Sequence, residues 1–251
     1  MIAMNGIMGV ALQSMQNDAA RMERISMNMA NVLTPAYKRE VIIEHTFGDL
    51  VQIGMNVDQQ ASALEVVTDQ RQGTFKVTGQ NLDFAISGNG YFEVSTPQGP
   101  AYTRQGNFRI DAQGRIVNQQ GYPVMGKNGE IVVRTTKPVV DASGLFVEDA
   151  NAEVGNLPAT SAGQFKLMEF EHASDLIKVG DGMLTAREGV WGAQSKVAQI
   201  HQGQLENANI NSMQEMVQVM QTMRHFESMQ RIAQGYDEML GSAVRKLGDV
   251  S

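Results

Sequence analysis

The sequence predicts an α+β chain, with long helices at its two ends pairing as a coiled coil around a central, mainly antiparallel β domain folded as a small barrel or sandwich. Three observations predict it. Of 17 methionines, seven lie in positions 1 to 34 and six between 213 and 239. Glycine does the opposite and clusters between 73 and 203. Within that middle stretch, short β-branched and aromatic runs alternate with turn residues and carry no helical crossovers.

The first element is a helix. Met1, Met4, Met8, Ala11, Met15, Asp18, Met22, Ile25, Met29 and Val32 follow a 3-4-3-4 spacing, broken in polarity only at Asp18, which is a heptad seam. Thr34-Pro35 ends it, because proline restricts the residue before it and supplies no interior N–H. Residues 35–72 read as an extended connection and give no firm element. The β domain is expected over 73–206. Its strand runs are GTFKVT (73–78), LDFAIS (82–87), YFEVST (91–96), AYTRQGNFRID (101–111), RIVNQ (115–119) and EIVVRTT (130–136), with a second group at QFKLMEFE (164–171) and GMLTARE (182–188). Asn89-Gly90, DAQG (111–114), NQQG (118–121), KNGE (127–130) and DASG (141–144) supply the turns.

The last element is again a helix. Asn207, Asn209 and Asn211 are candidate N-caps. Met213, Met216, Met220 and Met223 form a seam, and after an irregularity near Phe226 it resumes at Met229, Ala233, Tyr236, Leu240, Ala243 and Leu247. Residues 1–34 together with 207–251 are thus expected to form one terminal helical domain.

Composition narrows the function. The chain has 251 residues, a formal net charge of -7 and no cysteine. A nucleic-acid binder would carry a basic footprint, so none is expected as a partner. Apolar runs are too short to span a bilayer. The N-terminal stretch lacks a basic region and is interrupted by Asn5, Gln13 and Gln16, so a cleaved signal peptide is not expected. The four histidines (45, 172, 201 and 225) are scattered, with no zinc spacing, no GxSxG and no phosphate loop. DAQG and DASG read as turns rather than calcium loops, since the distal ligands are missing. Glu169 and Glu171 read as solvated strand residues. No enzyme activity, cofactor or metal site is expected. The apolar arc of the C-terminal helix, with Met216, Val217, Val219, Met220 and Met223, is wider than one partner helix covers, which points to assembly with other chains.

At this point the residues resemble the flagellar basal-body rod and hook proteins, the axial family of the bacterial flagellum. Asn28, Ala30, Asn31, Thr34, Pro35, Tyr37, Lys38 and Arg39 fit the family's N-terminal signature, with Ala36 where the family has Gly. LDFAISGNGYFEV and the stretch from Tyr102 to Gly106 are similar to its first β segment. Gly203, Leu205, Glu206, Asn209 and Ile210 fit its C-terminal signature, followed by RHFES at 224–228.

The resemblance implies a structural subunit of the rod, the proximal rod subunit favoured over the distal one. It implies export through the flagellar type III apparatus, partners among copies of itself and other rod proteins, and assembly into a helical tube that crosses the periplasm and transmits torque. The terminal helices would form the inner layer and the β domain the outer. An assembly interface is then expected at Met15, Met22, Ile25, Asn28, Met29, Asn31, Val32, Pro35, Tyr37, Leu205, Asn209, Met213, Met216, Met220, Met223, Phe226 and Leu240. The alternatives are a hook or other axial protein, or a soluble β-rich glycan-binding domain. Against the last stands the low aromatic content, with a single tryptophan, Trp191.

Overall fold

A computed structural model describes residues 2–44, 64–135, 137–147, 163–172, 175–195 and 197–248. The chain divides into two compact units. One comprises Met1–Val32, Arg39–Asp69 and Ile210–Ser251; the other comprises Leu33–Lys38 and Gln70–Asn209.

The first unit holds α1 (Ile2–Ala30), β1 (Glu40–Glu44), β2 (Leu64–Thr68) and α2 (Ser212–Gly248). The expected N-terminal helix is present, and its burial follows the predicted seam. Ala11, Asp18, Ile25 and Asn28 are buried, and Met8, Met15, Met22 and Met29 are partly buried. The two helices run against each other, with Asp18 beside His225 and Asn28 beside Glu215.

The seam of α2 differs from the expectation in its first half. Met213, Met216, Met220 and Met223 face outward, at 70%, 50%, 46% and 50% exposure. The side facing α1 carries Glu215, Val219, Thr222, Phe226, Met229, Ala233 and Tyr236, spaced 4-3-4-3-4-3 without a slip. The apparent irregularity near Phe226 arises because two different faces of one helix were read as one seam. Hydrophobicity alone chooses the Met face, yet polar Glu215 and Thr222 occupy the inner one, where Glu215 is satisfied by Asn28 and Arg39. Asn211 caps α2, its Oδ1 accepting from the N–H groups of Met213 (3.1 Å) and Gln214 (3.3 Å).

Residues 35–72, expected as a connection, contain an antiparallel ribbon in which Glu40 pairs with Thr68 and Glu44 with Leu64. Both strands are only five residues long, EVIIE and LEVVT, and neither alternates cleanly, so period-2 patterning does not reveal them.

The second unit is β. Its strands are β3 (Phe75–Val77), β4 (Phe84–Ser87), β5 (Tyr91–Thr96), β6 (Gly99–Thr103), β7 (Arg109–Ile110), β8 (Ile116–Val117), β9 (Met125–Gly126), β10 (Gly129–Glu130), β11 (Val139–Val140), β12 (Phe146–Val147), β13 (Leu167–Glu169), β14 (Leu176–Gly180), β15 (Met183–Ala186), β16 (Ala193–Gln194), β17 (Gln199–Gln202) and β18 (Gln204–Glu206). A six-stranded sheet has the order β14-β15-β6-β5-β13-β16, and two-stranded ribbons surround it, all antiparallel. The core is aromatic. Phe84, Phe92, Phe108, Phe146 and Phe165 stack at tilted or edge-on angles, with centroids 4.9–6.4 Å apart, as ring quadrupoles favour.

The run 101–111 is not one strand. It breaks into β6 and β7 at Arg104-Gln105-Gly106. EIVVRTT contributes only the edge of the β9–β10 hairpin, since Ile131 and Val133 are buried as single core residues rather than as a paired strand. The two aspartate turns are one device used twice. Asp111 Oδ1 accepts from the N–H groups of Gln113 and Arg115, and Asp141 Oδ1 from those of Ser143 and Leu145, all at 2.8–2.9 Å. Each turn closes a ribbon, β7–β8 and β11–β12. The Ser143 hydroxyl, with the Leu145 N–H behind it, holds the Asp141 carboxyl below its usual range.

Gly106 marks the tightest approach. A Cβ there would lie 1.7 Å from the Phe84 carbonyl oxygen, and Phe84 N–H donates to the Gly106 carbonyl at 2.9 Å. Gly106→Ala is therefore expected to destabilise the β unit by about 3 kcal/mol or more, read as a lower denaturant midpoint of the β transition.

Candidate functional site

Among the described residues, two buried polar clusters and one outward apolar face stand out.

The first cluster lies in the β unit. Glu206, at the end of β18, is 2% exposed. Its Oε1 accepts from Lys38 Nζ at 2.6 Å and from the Gly73 N–H at 3.0 Å, and its Oε2 accepts from Arg104 Nη1 at 3.2 Å. Lys38 also donates to the Arg71 carbonyl at 2.9 Å, and Arg104 Nη2 to the Gly88 carbonyl at 2.6 Å. Arg104 sits 5.3 Å from the centre of the Tyr91 ring. Burial, eased by Arg104 and reinforced by Glu206, holds the Tyr91 phenol above its ordinary range, and the protonated hydroxyl donates to Gln70 at 3.1 Å. Three sequence stretches far apart in the chain, ending in Lys38, Arg104 and Glu206, thus meet at one carboxylate. A buried carboxylate with two cationic partners and a backbone N–H is compensated; without them it is not.

The turn leading to Lys38 is left-handed at Ala36, with φ of 55°. The resemblance implies glycine at this position, and alanine takes the left-handed conformation here. Ala36 N–H donates to the Glu206 carbonyl at 2.8 Å, which holds the residue there against a cost of about 1–2 kcal/mol. Tyr37 lies under Lys178, whose Nζ is 5.0 Å from the ring centre. Asn209 closes the same region, donating Nδ2–H to the Arg71 carbonyl at 2.9 Å and its N–H to the Tyr37 carbonyl at 3.2 Å. Leu205, partly buried, pairs with Lys76 across β18–β3, and Pro35 is partly buried in the same unit.

The second cluster lies in the helical unit. Asn28, 1% exposed, donates to the Glu40 carbonyl at 2.8 Å and accepts from the Glu40 N–H at 3.0 Å. It thereby imitates a strand partner for β1. It also donates to Glu215 at 3.4 Å, whose other oxygen accepts from Arg39 Nε. One turn pair away, Asp18 Oδ2 lies 2.6 Å from His225 Nδ1. Asp18, Arg39, Glu40, Glu215 and His225 line an open groove of about 450 Å³ with Arg21, Arg24 and Gln218. Asn31 donates Nδ2–H back to the Met27 carbonyl. Ile25 is buried, while Met15, Met22, Met29, Val32 and Phe226 are partly buried. Leu240 lies in α2, and its side chain falls outside the described residues.

Sequence reasoning found the motif residues but not their chemistry. It named Lys38, Arg39 and Glu206 as signature positions without their partners, and it missed the roles of Glu215 and His225. The only signal for the last was Asp18, a carboxylate on an otherwise apolar seam.

No described helix is long and apolar enough to cross a membrane. Comparison with known proteins then places the chain. The profile described as "Flagellar hook protein FlgE/F/G D1 domain" matches residues 85–161, and "Flagellar basal body rod FlgEFG protein C-terminal" matches residues 201–246. The flagellar basal-body rod protein FlgG of Bacillus subtilis is 28% identical over 93% of this chain and 96% of its own length. FlgF of Caulobacter vibrioides is 26% identical over 99% of the chain and all of its own length, and FlgF of a Buchnera aphidicola is 28% identical over 97% and 98%. These matches support a flagellar basal-body rod protein, a structural subunit.

Removing Glu206 leaves Lys38 and Arg104 buried without their counter-charge. Glu206→Ala is expected to cost about 3–5 kcal/mol. Glu130→Ala, at the exposed Arg115 pair, is expected to stay within about 0.5 kcal/mol. Chemical denaturation of the two variants side by side checks the contrast.

Proposed function

We propose that this chain polymerises as a subunit of the proximal rod, in a helical tube that crosses the periplasm and transmits torque, after export by the flagellar type III apparatus. Its partners are copies of itself and the adjoining rod proteins, and its role is structural rather than catalytic. The single observation that carries the reading is the outward face of α2, where Met213, Met216, Val217, Met220 and Met223 are 41–70% exposed on a helix whose opposite side is already packed. A helix apolar on two sides calls for two neighbours. One is α1; the other comes from another subunit, with the helices meeting as coiled coils. Methionine suits such a surface, because its flexible thioether packs in the slightly different settings that neighbouring subunits present. Heterologous contacts of this kind build open helical filaments when the rotation does not close.

The β unit, closed as a small barrel or sandwich, complements the helical domain formed from residues 1–34 and 207–251. Near end-to-end agreement in length with the FlgF relatives, together with a single compact β region, supports a rod member over the longer hook protein. The glycan-binding alternative has only the exposed Trp191 in its favour.

The two faces of the helix pair separate by mutation. Met220→Asp, on the outer face, is expected to change the stability of the free chain by less than about 0.5 kcal/mol, yet to abolish incorporation into basal bodies and motility. Met22→Asp, on the inner seam, is expected to destabilise the helix pair itself by several kcal/mol. Immunoblots of isolated basal bodies with thermal melts of the free chains check both, and normal motility of Met220→Asp contradicts the reading.

A further inference from the structure

The two polar contacts between α1 and α2 are matched in spacing. Asp18 meets His225 at 2.6 Å, and Asn28 meets Glu215 at 3.4 Å. On each helix ten residues separate the two members, about 15 Å of rise, and the helices run in opposite directions. The contacts are therefore two rungs of one ladder. Both carry buried polar groups on seams that are mostly apolar: Asp18 is 4% exposed, Asn28 1% and Glu215 1%.

Among the described residues the rest of the two seams is mostly apolar, with Thr222 the other buried polar side chain on α2. Methionine, alanine and valine recur on both faces, and flexible methionines accept several neighbours. A slip of one turn along α2 places Asp18 against Met229 and Asn28 against Val219. That single step strands both rungs at once, leaving buried polar groups facing apolar ones.

We infer that Asp18–His225 and Asn28–Glu215 act as positioning residues that fix the axial register of the helix pair, and with it the height at which the outer methionines of α2 are presented. A buried polar residue on a helical seam selects one pairing among several of similar hydrophobic content, at some expense in stability. The lower rung has a second duty, since Asn28 also holds Glu40 of β1 and Arg39 also holds Glu215. The upper rung has none of these strand contacts, so it can be altered alone. The inference concerns the register within one chain, and it can fail while the rod assignment stands.

The chain has no cysteine, so Leu12→Cys and Gln234→Cys, at exposed sites on α1 and α2, carry spin labels without background. Pulsed electron paramagnetic resonance reads the distance between them in the full-length chain. With the native rungs a single narrow distance is expected. Replacing the upper rung by Asp18→Leu with His225→Leu is expected to keep the helical circular dichroism and to add a second population shifted by about 5 Å, one helical turn. Asp18→Asn with His225 retained, which still offers the imidazole a hydrogen bond, is expected to keep the native distance. Rod incorporation, scored separately, reports on the assembly reading. A single unchanged distance in the double leucine variant overturns the inference. So does loss of its helical signal, which would make the pair a stability determinant, and so does a shifted population in Asp18→Asn equal to that of the leucine pair.

Discussion

The β unit depends on one carboxylate. Glu206 lies at the C-terminal end of the unit's last strand, Lys38 at the end of the short stretch that precedes Arg39, and Arg104 at the break between β6 and β7. Hydrogen bonds to the Gly73 N–H and, through Lys38 and Arg104, to the Arg71 and Gly88 carbonyls spread the anchoring over five separate stretches of chain. An ion cluster this deeply buried returns little net stability over a well-packed apolar equivalent, because desolvation offsets the Coulomb gain. What it does supply is intolerance: any arrangement that separates the three side chains leaves charges in a low-dielectric interior. The strained turn at Ala36 and the close approach at Gly106 sit beside this cluster and are held by the same hydrogen-bonded framework.

The helical unit divides the same tasks differently. Its inner seam places polar residues at two heights and lets small or flexible apolar residues fill the remainder, whereas its outer face is almost wholly methionine and valine over 213–223. Polar groups specify and methionines adapt. A subunit that must find one internal geometry and yet meet neighbours in several settings needs both properties, on opposite sides of one helix.

Much of this was legible in the sequence, for identifiable reasons. Long periodic segments announce themselves, so α1 and α2 were readable, while α1 ends at Ala30, short of Thr34-Pro35, and the cap at Asn211 was one of three candidates. YFEVST is β5 residue for residue, because Asn89-Gly90 interrupts the chain just before it and aromatic and β-branched residues fill it. The ribbon of β1 and β2 escaped, since five-residue strands with acidic ends show no period. The true inner seam of α2 escaped because it includes Glu215 and Thr222, which a hydrophobic count rejects; the Asn28 and Arg39 partners make the burial of Glu215 tolerable. The convergence of Lys38, Arg104 and Glu206 could not be read at all, as ion pairing between residues 168 positions apart leaves no local trace. The family resemblance flagged these positions as a pattern, and the structure supplies the physical reason for the pattern.

The central claim is that the outer methionine face of α2 is covered by a neighbouring subunit. Electron cryomicroscopy of isolated basal bodies, at a resolution that shows side chains, tests it most directly. The account predicts this chain in the rod, with Met213, Met216, Met220 and Met223 packed against a helix of an adjacent subunit. A rod in which those four side chains face solvent, or in which the chain is absent, would contradict it.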